Sequence, residues 1–324
     1  MASSKSFFMK QALMRKLLIS TIPITIGAIY LFGLRTIPLM ITSVVAAVLT
    51  EYMFKRKDGK PVSEASIVSA VLFTLALPVG TPFWVAAAGM IFGIVFAKEV
   101  FGGFGRNVFN PALAGRTFVY VSFPEYLTNM WNLPAEGFPG GFSRFITPSI
   151  DTVSGSTPLN LIATGEGPDI MELVIGNVSG SLGETSIVLI LLSAIYLIVT
   201  KTADWKLMVA PLLGFTVFNS LFYFVGIEGA PHPFLGIISG SIVFLAVFFV
   251  TEPITAPKTT EAKWTYGFLI GMIAVIIRTF GIFEAGGMFA VLIMNSFVPI
   301  LDEAVKEIRR RKKAMSNKKG ETTA

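Results

Sequence analysis

A chain of 324 residues with 53% hydrophobic residues, 14% charged residues and a mean hydropathy of +0.71 is too apolar for a soluble protein, in which about a quarter of residues are charged. Cysteine is absent, which excludes disulfides and thiolate-held iron–sulfur clusters, and the single histidine, His232, excludes paired-imidazole haem and the usual zinc sites. The net charge of +6 sits where membrane helices end, so lipid is the expected partner and nucleic acid is not.

The leading segment "MASSKSFFMKQALMRKLL" runs into an apolar span with no small-residue cleavage pattern and reads as an uncleaved first helix. Ten apolar spans follow the chain, near 17–34, 37–54, 64–80, 83–100, 108–122, 185–200, 206–226, 233–251, 264–282 and 285–301. Their lengths suit helices of ~20 residues better than barrel strands of ~10. All of the 26 Lys and Arg residues except Arg35, Arg116, Arg144 and Arg278 fall on one side of this arrangement, so both termini are expected in the cytoplasm. The long loop 123–183 is then outside, and connections of that length usually carry function or disorder.

Five spans per half is an odd number, so the halves must be inverted. Weak internal similarity agrees: "VLFTLALPVGTPFW" and "VFFVTEPITAPKTT" each break a span at a proline-rich polar turn, and "GRNVFNPALAGR" and "FAVLIMNSFVPILD" each set an Asn shortly before a Pro. Inverted repeats with broken helices place ligand sites at the repeat interface. The expected fold is therefore all-α and integral to the membrane, with ten transmembrane helices in two inverted five-helix repeats. Residues 1–122 form the first repeat, 123–183 the outer loop, 184–304 the second repeat and 305–324 a basic cytoplasmic tail.

Within "VFGGFGRNVFNPALAGR" the spacing of Gly102, Gly103 and Gly105 does not make a dinucleotide loop, and no strand precedes it. Asn107 and Asn110 are costly in a bilayer unless they face a ligand, a cavity or each other, and the sequence leaves ligand contact and structural hydrogen bonding evenly matched. Arg116, two turns inside its span, marks a functional position or a buried ion pair. Glu252 precedes Pro253 near a helix end, where a solvated carboxylate and a site role compete. Arg278 and Glu284 flank an outer turn and read as a salt bridge. In "DTVSGSTPL", Gly155 and Pro158 keep Ser156 and Thr157 out of a helix, although such clusters are also ordinary loop material.

Four segments together resemble one family. "AKEVFGGFGRNVFNPALAGRTFVYVSFP", "DTVSGSTPL", "GNVSGSLGETS" and "TEPITAPKTTEAKWTYGFLIGMIAVIIRTFG" are similar, in order, to the membrane subunits RnfD and NqrB of ion-translocating oxidoreductases. The resemblance implies the ten-span, urea-transporter-like architecture. It also implies FMN attached through its phosphate to the final threonine of the loop motif, here Thr157, with Asp151, Ser154 and Gly155 matching and Ser156 replacing the usual alanine. A flavin transferase outside the membrane would make this bond. A second, non-covalent riboflavin inside the bundle is implied near Asn107, Asn110 and Glu252, the last standing where relatives usually have aspartate. Metal ligands and catalytic groups of the chain's own are not expected.

The implied role is a flavoprotein subunit of a complex in the bacterial inner membrane, passing electrons between partners and coupled to Na⁺ or H⁺ movement. Those partners include iron–sulfur subunits, since this chain has no cysteine, and a second FMN-carrying subunit. The short lead into the first helix points to RnfD and the ferredoxin:NAD⁺ type, whereas "AKEVFGGFGRN" leans toward NqrB and the NADH:quinone type. A solute channel or transporter of the same fold is the alternative; it predicts no flavin and a continuous polar path between the halves.

Overall fold

A computed structural model describes residues 6–128, 130–145, 158–163, 167–239, 241–281 and 286–322. The first half consists of α1 (Ala12–Phe32), α2 (Thr36–Lys55), α3 (Glu64–Leu75), α4 (Phe83–Ile94) and α5 (Pro111–Ser122), with α4 running into a π-helical turn at Val95–Glu99. Three short helices follow: α6 (Glu125–Thr128), α7 (Pro158–Ala163) and α8 (Ile170–Ile175). The second half holds α9 (Ile187–Val199), α10 (Trp205–Val225), α11 (Pro233–Ile238), α12 (Ile242–Phe244), a π turn at Leu245–Phe249, α13 (Thr260–Phe280) and α14 (Gly286–Thr322).

Five of these helices, α1, α2, α10, α13 and α14, are long and apolar enough to cross a membrane. Their outward residues are large and apolar, among them Ile22, Ile26, Leu49, Val217 and Leu221, as lipid-facing positions should be. The chain is a multi-pass membrane protein. Its only described sheet is a two-residue parallel pair, Phe8–Met9 with Val62–Ser63, which straps the leading segment to the turn before α3.

Pairing within the two halves follows one pattern. In the first, α2 packs on α3 and α4, and α4 on α5; in the second, α10 packs on α11 and α13, and α13 on α14. The halves meet through α1 on α9 and through α5 on α14. Without a hydrophobic driving force between helices in lipid, close approach depends on small residues. A Cβ on Gly271 of α13 would overlap the carbonyl of Pro211 in α10, and one on Gly115 of α5 would lie 2.5 Å from the carbonyl of Gly89 in α4.

The basic residues collect on one face. Arg15 pairs with Glu64, Lys55 with Glu99, Lys263 with Asp204 and Arg309 with Glu261, while Lys16 reaches the carbonyl of Thr200 at 3.4 Å. The opposite face carries the α1–α2 turn, where Leu34 N–H donates to Arg144 and Ala135 N–H to Leu31. Loop residues 130–145 therefore lie opposite the basic rim.

Three elements differ from the sequence expectation. The span 64–80 is helical only to Leu75, because a buried irregular segment meets its end: Gly183 N–H donates to Leu75 O at 2.6 Å and Leu182 N–H to Leu77 O at 3.0 Å. The span 233–251 is broken into α11, α12 and the π turn. The basic region from 305 continues α14 instead of leaving it as a separate tail, since Glu303–Lys306 and Glu307–Arg311 are spaced to pair along one helix face and no glycine interrupts before Gly320.

Candidate functional site

Two polar centres form where helices break. At the first, Pro111 opens α5 with its ring at the first helical turn, where no amide hydrogen is needed, and the Asn110 side chain accepts from Ala112 N–H at 3.0 Å and Leu113 N–H at 3.1 Å. Asn110 thus caps a helix that starts inside the protein. Its own N–H donates to Asn295 Oδ1 at 3.3 Å, and Asn295 Nδ2 donates to the Tyr266 hydroxyl at 2.8 Å. Asn107 Nδ2 donates to Glu252 Oε1 at 3.3 Å, and Thr255 Oγ1 to Glu252 Oε2 at 3.0 Å.

The three positions expected to act together, Asn107, Asn110 and Glu252, are therefore neighbours, drawn from two halves 145 residues apart. Asn107, Asn110, Asn295 and Tyr266 are buried and Glu252 is half-buried. Pro299 lies one turn after Asn295 and has no N–H to donate to its carbonyl. Asn295 and Tyr266 were not legible as site residues, although the Asn-before-Pro repeat pointed to Asn295.

The second centre surrounds Arg116, which sits in the second turn of α5. Its guanidinium engages Glu184 at 2.7 Å and 3.3 Å in a forked pair and Ser181 Oγ at 3.3 Å. This fulfils the ion-pair alternative for Arg116 and identifies the partner, a residue of the "GNVSGSLGETS" segment. That segment is buried irregular backbone, which a membrane protein tolerates only against other protein or a cavity. A cavity is present: a cleft of about 750 Å³, mouth included, lined by Arg116, Trp131, Pro158, Ser179, Glu184 and Arg278 among others. Buried Arg116 Nε and Ser179 Oγ have no hydrogen-bond partner among the described residues. Arg278 donates to Gly236 O at 3.4 Å and lies over the Phe215 ring. Glu284, its expected partner, lies outside the described residues, as do Asp151, Ser154, Gly155, Ser156 and Thr157.

The sequence missed a third polar centre. Lys98 is counted toward the basic rim, yet its side chain is 2% exposed and bonds Glu51 Oε2 at 2.9 Å, Ser63 Oγ at 2.6 Å and Ser66 Oγ at 2.7 Å. The π turn that ends α4 carries Lys98 and Glu99 and aligns the former with α2 and the start of α3. Nothing in the spacing of Glu51 and Lys98 announces the pair, because it closes across three separate elements. No group of three or more metal-ligating side chains occurs among the described residues.

A flavin carries a large apolar ring with polar edges, against which the first two centres can be compared. The cleft offers an aromatic wall in Trp131, cations in Arg116 and Arg278, and buried donors without a partner among the described residues in Arg116 Nε and Ser179 Oγ. The Asn107–Glu252 cluster sets a few polar groups in apolar surroundings.

Comparison with known proteins matches most of this chain and about 70% of the length of its relatives. The chain is 34% identical over 304 residues to the NqrB protein of the Na⁺-translocating NADH-quinone reductase of Haemophilus influenzae (strain PittEE), covering 90% of this chain and 71% of that one. It is 35% identical over 300 residues to the NqrB protein of Pseudoalteromonas atlantica, covering 88% and 70%. The NqrB protein of Klebsiella pneumoniae (strain 342) is 34% identical over 298 residues, covering 89% and 70%. Residues 5–310 match the NQR2, RnfD, RnfE family, and the chain belongs to it.

Proposed function

We propose that this chain is a flavin-carrying membrane subunit of an ion-translocating oxidoreductase, with FMN esterified through its phosphate to Thr157 and riboflavin held near Asn107, Asn110 and Glu252. The observation that carries this reading is the position of Pro158, the residue after Thr157, in the wall of the cleft that Arg116 and Arg278 also line. A tether there would confine a carrier at high local concentration beside the cleft.

When bound, FMN supplies electron transfer; the rest is the work of the chain. Arg116, its charge offset by Glu184, and Arg278 would be the cationic groups that hold the flavin in the cleft. Glu184 fixes the Arg116 fork, so that this charge is oriented in advance. Trp131 offers an aromatic face, and Ser179 Oγ and Arg116 Nε offer hydrogen bonds. At the inner cluster, Asn107 and Asn295 have amides able to meet the polar edge of a second ring, and Thr255 holds the Glu252 carboxylate in place.

The ten-span inverted-repeat architecture belongs to the same proposal. The matching helix pairings in the two halves support it, with the breaks at 76–82 and 250–259 lying within the repeats. Termini on the cytoplasmic side and the Thr157 loop outside in a bacterial inner membrane follow from the basic rim. Partners would be the remaining subunits of the complex, among them iron–sulfur and second FMN-carrying subunits, together with a flavin transferase. The names of the relatives favour NADH:quinone chemistry, and the resemblance to RnfD includes ferredoxin:NAD⁺ chemistry; the coupling ion is Na⁺ or H⁺. Electron transfer from NADH to quinone or from reduced ferredoxin to NAD⁺ by the purified complex separates the two types.

The test is flavin fluorescence of the denatured chain after co-expression with its transferase. Wild type and Ser156→Ala should fluoresce and Thr157→Ala should not. A dark wild-type band, with the transferase active on a control substrate, refutes the covalent flavin and returns the chain to the solute-transport alternative.

A further inference from the structure

The basic face holds a second concavity that no flavin role uses. It is an open groove of about 960 Å³, mouth included, lined by Lys201, Lys258, Lys263, Thr202, Asp204 and Trp205 among others. Among the described residues Asp204 pairs with one of these lysines, Lys263 Nζ lying 2.8 Å from its Oδ2, while Lys258 Nζ donates to the Pro253 carbonyl at the groove wall. Lys16 arrives from α1, 3.4 Å from the carbonyl of Thr200, and adds a further cation at the rim. The groove retains a net positive charge and calls for an anion.

Lys201 carries the argument further. Its φ of 53° makes it the only non-glycine residue in the left-handed region among those described, directly after the C-cap of α9. Glycine fills that position without steric cost. A lysine here tolerates strain while delivering an ammonium to the groove.

The surroundings select the class of anion. Trp205 is half exposed at the groove and packs edge to face on Trp264, with centroids 5.8 Å apart, the arrangement of an aromatic belt at headgroup level. From Trp205, exposed Leu213, Val217 and Leu221 form a stripe along α10, and exposed Ile198 lines the groove from α9. Cations beside an apolar stripe match a phosphate that carries acyl chains.

We propose that this groove binds the phosphate headgroup of an anionic phospholipid, with Lys201 and Lys258 meeting the phosphate and the acyl chains lying along α10. The site is independent of flavin, so its failure would leave the redox reading intact.

The experiment measures binding of phosphatidylglycerol, phosphatidylcholine with the same acyl chains, and inorganic phosphate to the full chain in neutral detergent, by native mass spectrometry and thermal shift. Phosphatidylglycerol should bind more tightly than phosphatidylcholine, and inorganic phosphate at equal concentration should not shift the transition. Each basic contact is worth about fivefold, so Lys201→Gly with Lys258→Gln should weaken phosphatidylglycerol about 25-fold. Lys312→Gln with Lys313→Gln, on the exposed tail, should leave it unchanged. Lys201→Gly alone should match or exceed wild-type stability without lipid, since it relieves the strained backbone, and yet bind phosphatidylglycerol about fivefold less tightly. Equal affinity for the two lipids, a response to phosphate alone, or undiminished binding by Lys201→Gly overturns the proposal.

Discussion

Replacing Lys98 with methionine should destabilise the protein far more than replacing Lys98 and Glu51 together. All three ammonium hydrogens are used, on Glu51, Ser63 and Ser66, and the two ionic side chains are 2% and 1% exposed. Glu51 also accepts from Ser63 N–H at 3.2 Å and from the Ser63 and Ser66 hydroxyls. Lys98→Met therefore leaves a carboxylate buried among neutral donors, and breaking a buried pair in this way costs about 3–5 kcal/mol. Removing both charges with apolar residues of similar volume is often close to neutral, so Glu51→Met with Lys98→Met should recover most of that loss, a coupling of about 3 kcal/mol. Denaturation by SDS titration in mixed micelles, followed through tryptophan fluorescence, measures Lys98→Met, Glu51→Met and the double variant. A Lys98→Met loss below about 1 kcal/mol, or costs that simply add in the double variant, would refute the reasoning.

Three further outcomes are expected. Gly271→Val should cost about 3 kcal/mol or prevent folding, because its side chain would enter the backbone of α10 at Pro211 and Phe215; a variant as stable as wild type in the same titration contradicts the close packing. Asn107→Leu should lower non-covalent riboflavin in the purified protein while covalent flavin stays at the wild-type level, and loss of both together would deny the inner cluster a separate role. Burial raises the Asp204 carboxyl, but the Lys263 ammonium and the Lys206 N–H outweigh it and hold the group below its ordinary 3.8. Stability from a depressed acid is present above the unfolded value and lost as pH falls through the folded one. Asp204→Asn should thus be less stable than wild type by about 1 kcal/mol or less at pH 7, with the gap closing below about pH 4; a gap that widens on acidification contradicts the pairing.

Membrane class and the five long apolar helices were legible because they follow from hydropathy, which is a local property. Asn107, Asn110 and Glu252 were grouped by the family resemblance, and Asn107 and Glu252 meet in the structure. Glu184 as the mate of Arg116 was not legible: it lies in a loop 68 residues away whose serines and glycines read as surface. Lys98 misled for a related reason. A lysine at the end of a span reads as snorkelling to water, and only the π turn and two serines from α3 and its preceding turn turn it inward. The early end of α3 at Leu75 is likewise a tertiary effect, since its terminal carbonyls are met by a chain segment more than 100 residues later.

The length of α14 has a mechanical consequence. The helix carries Asn295 within the polar cluster and continues to Thr322, about 40 Å farther along at 1.5 Å per residue. Pro299 removes one backbone hydrogen bond just past Asn295, and Arg309 ties the emerging rod to Glu261 of α13. It is a lever with its fulcrum beside the cluster: a tilt of 10° there sweeps the basic tip through about 7 Å.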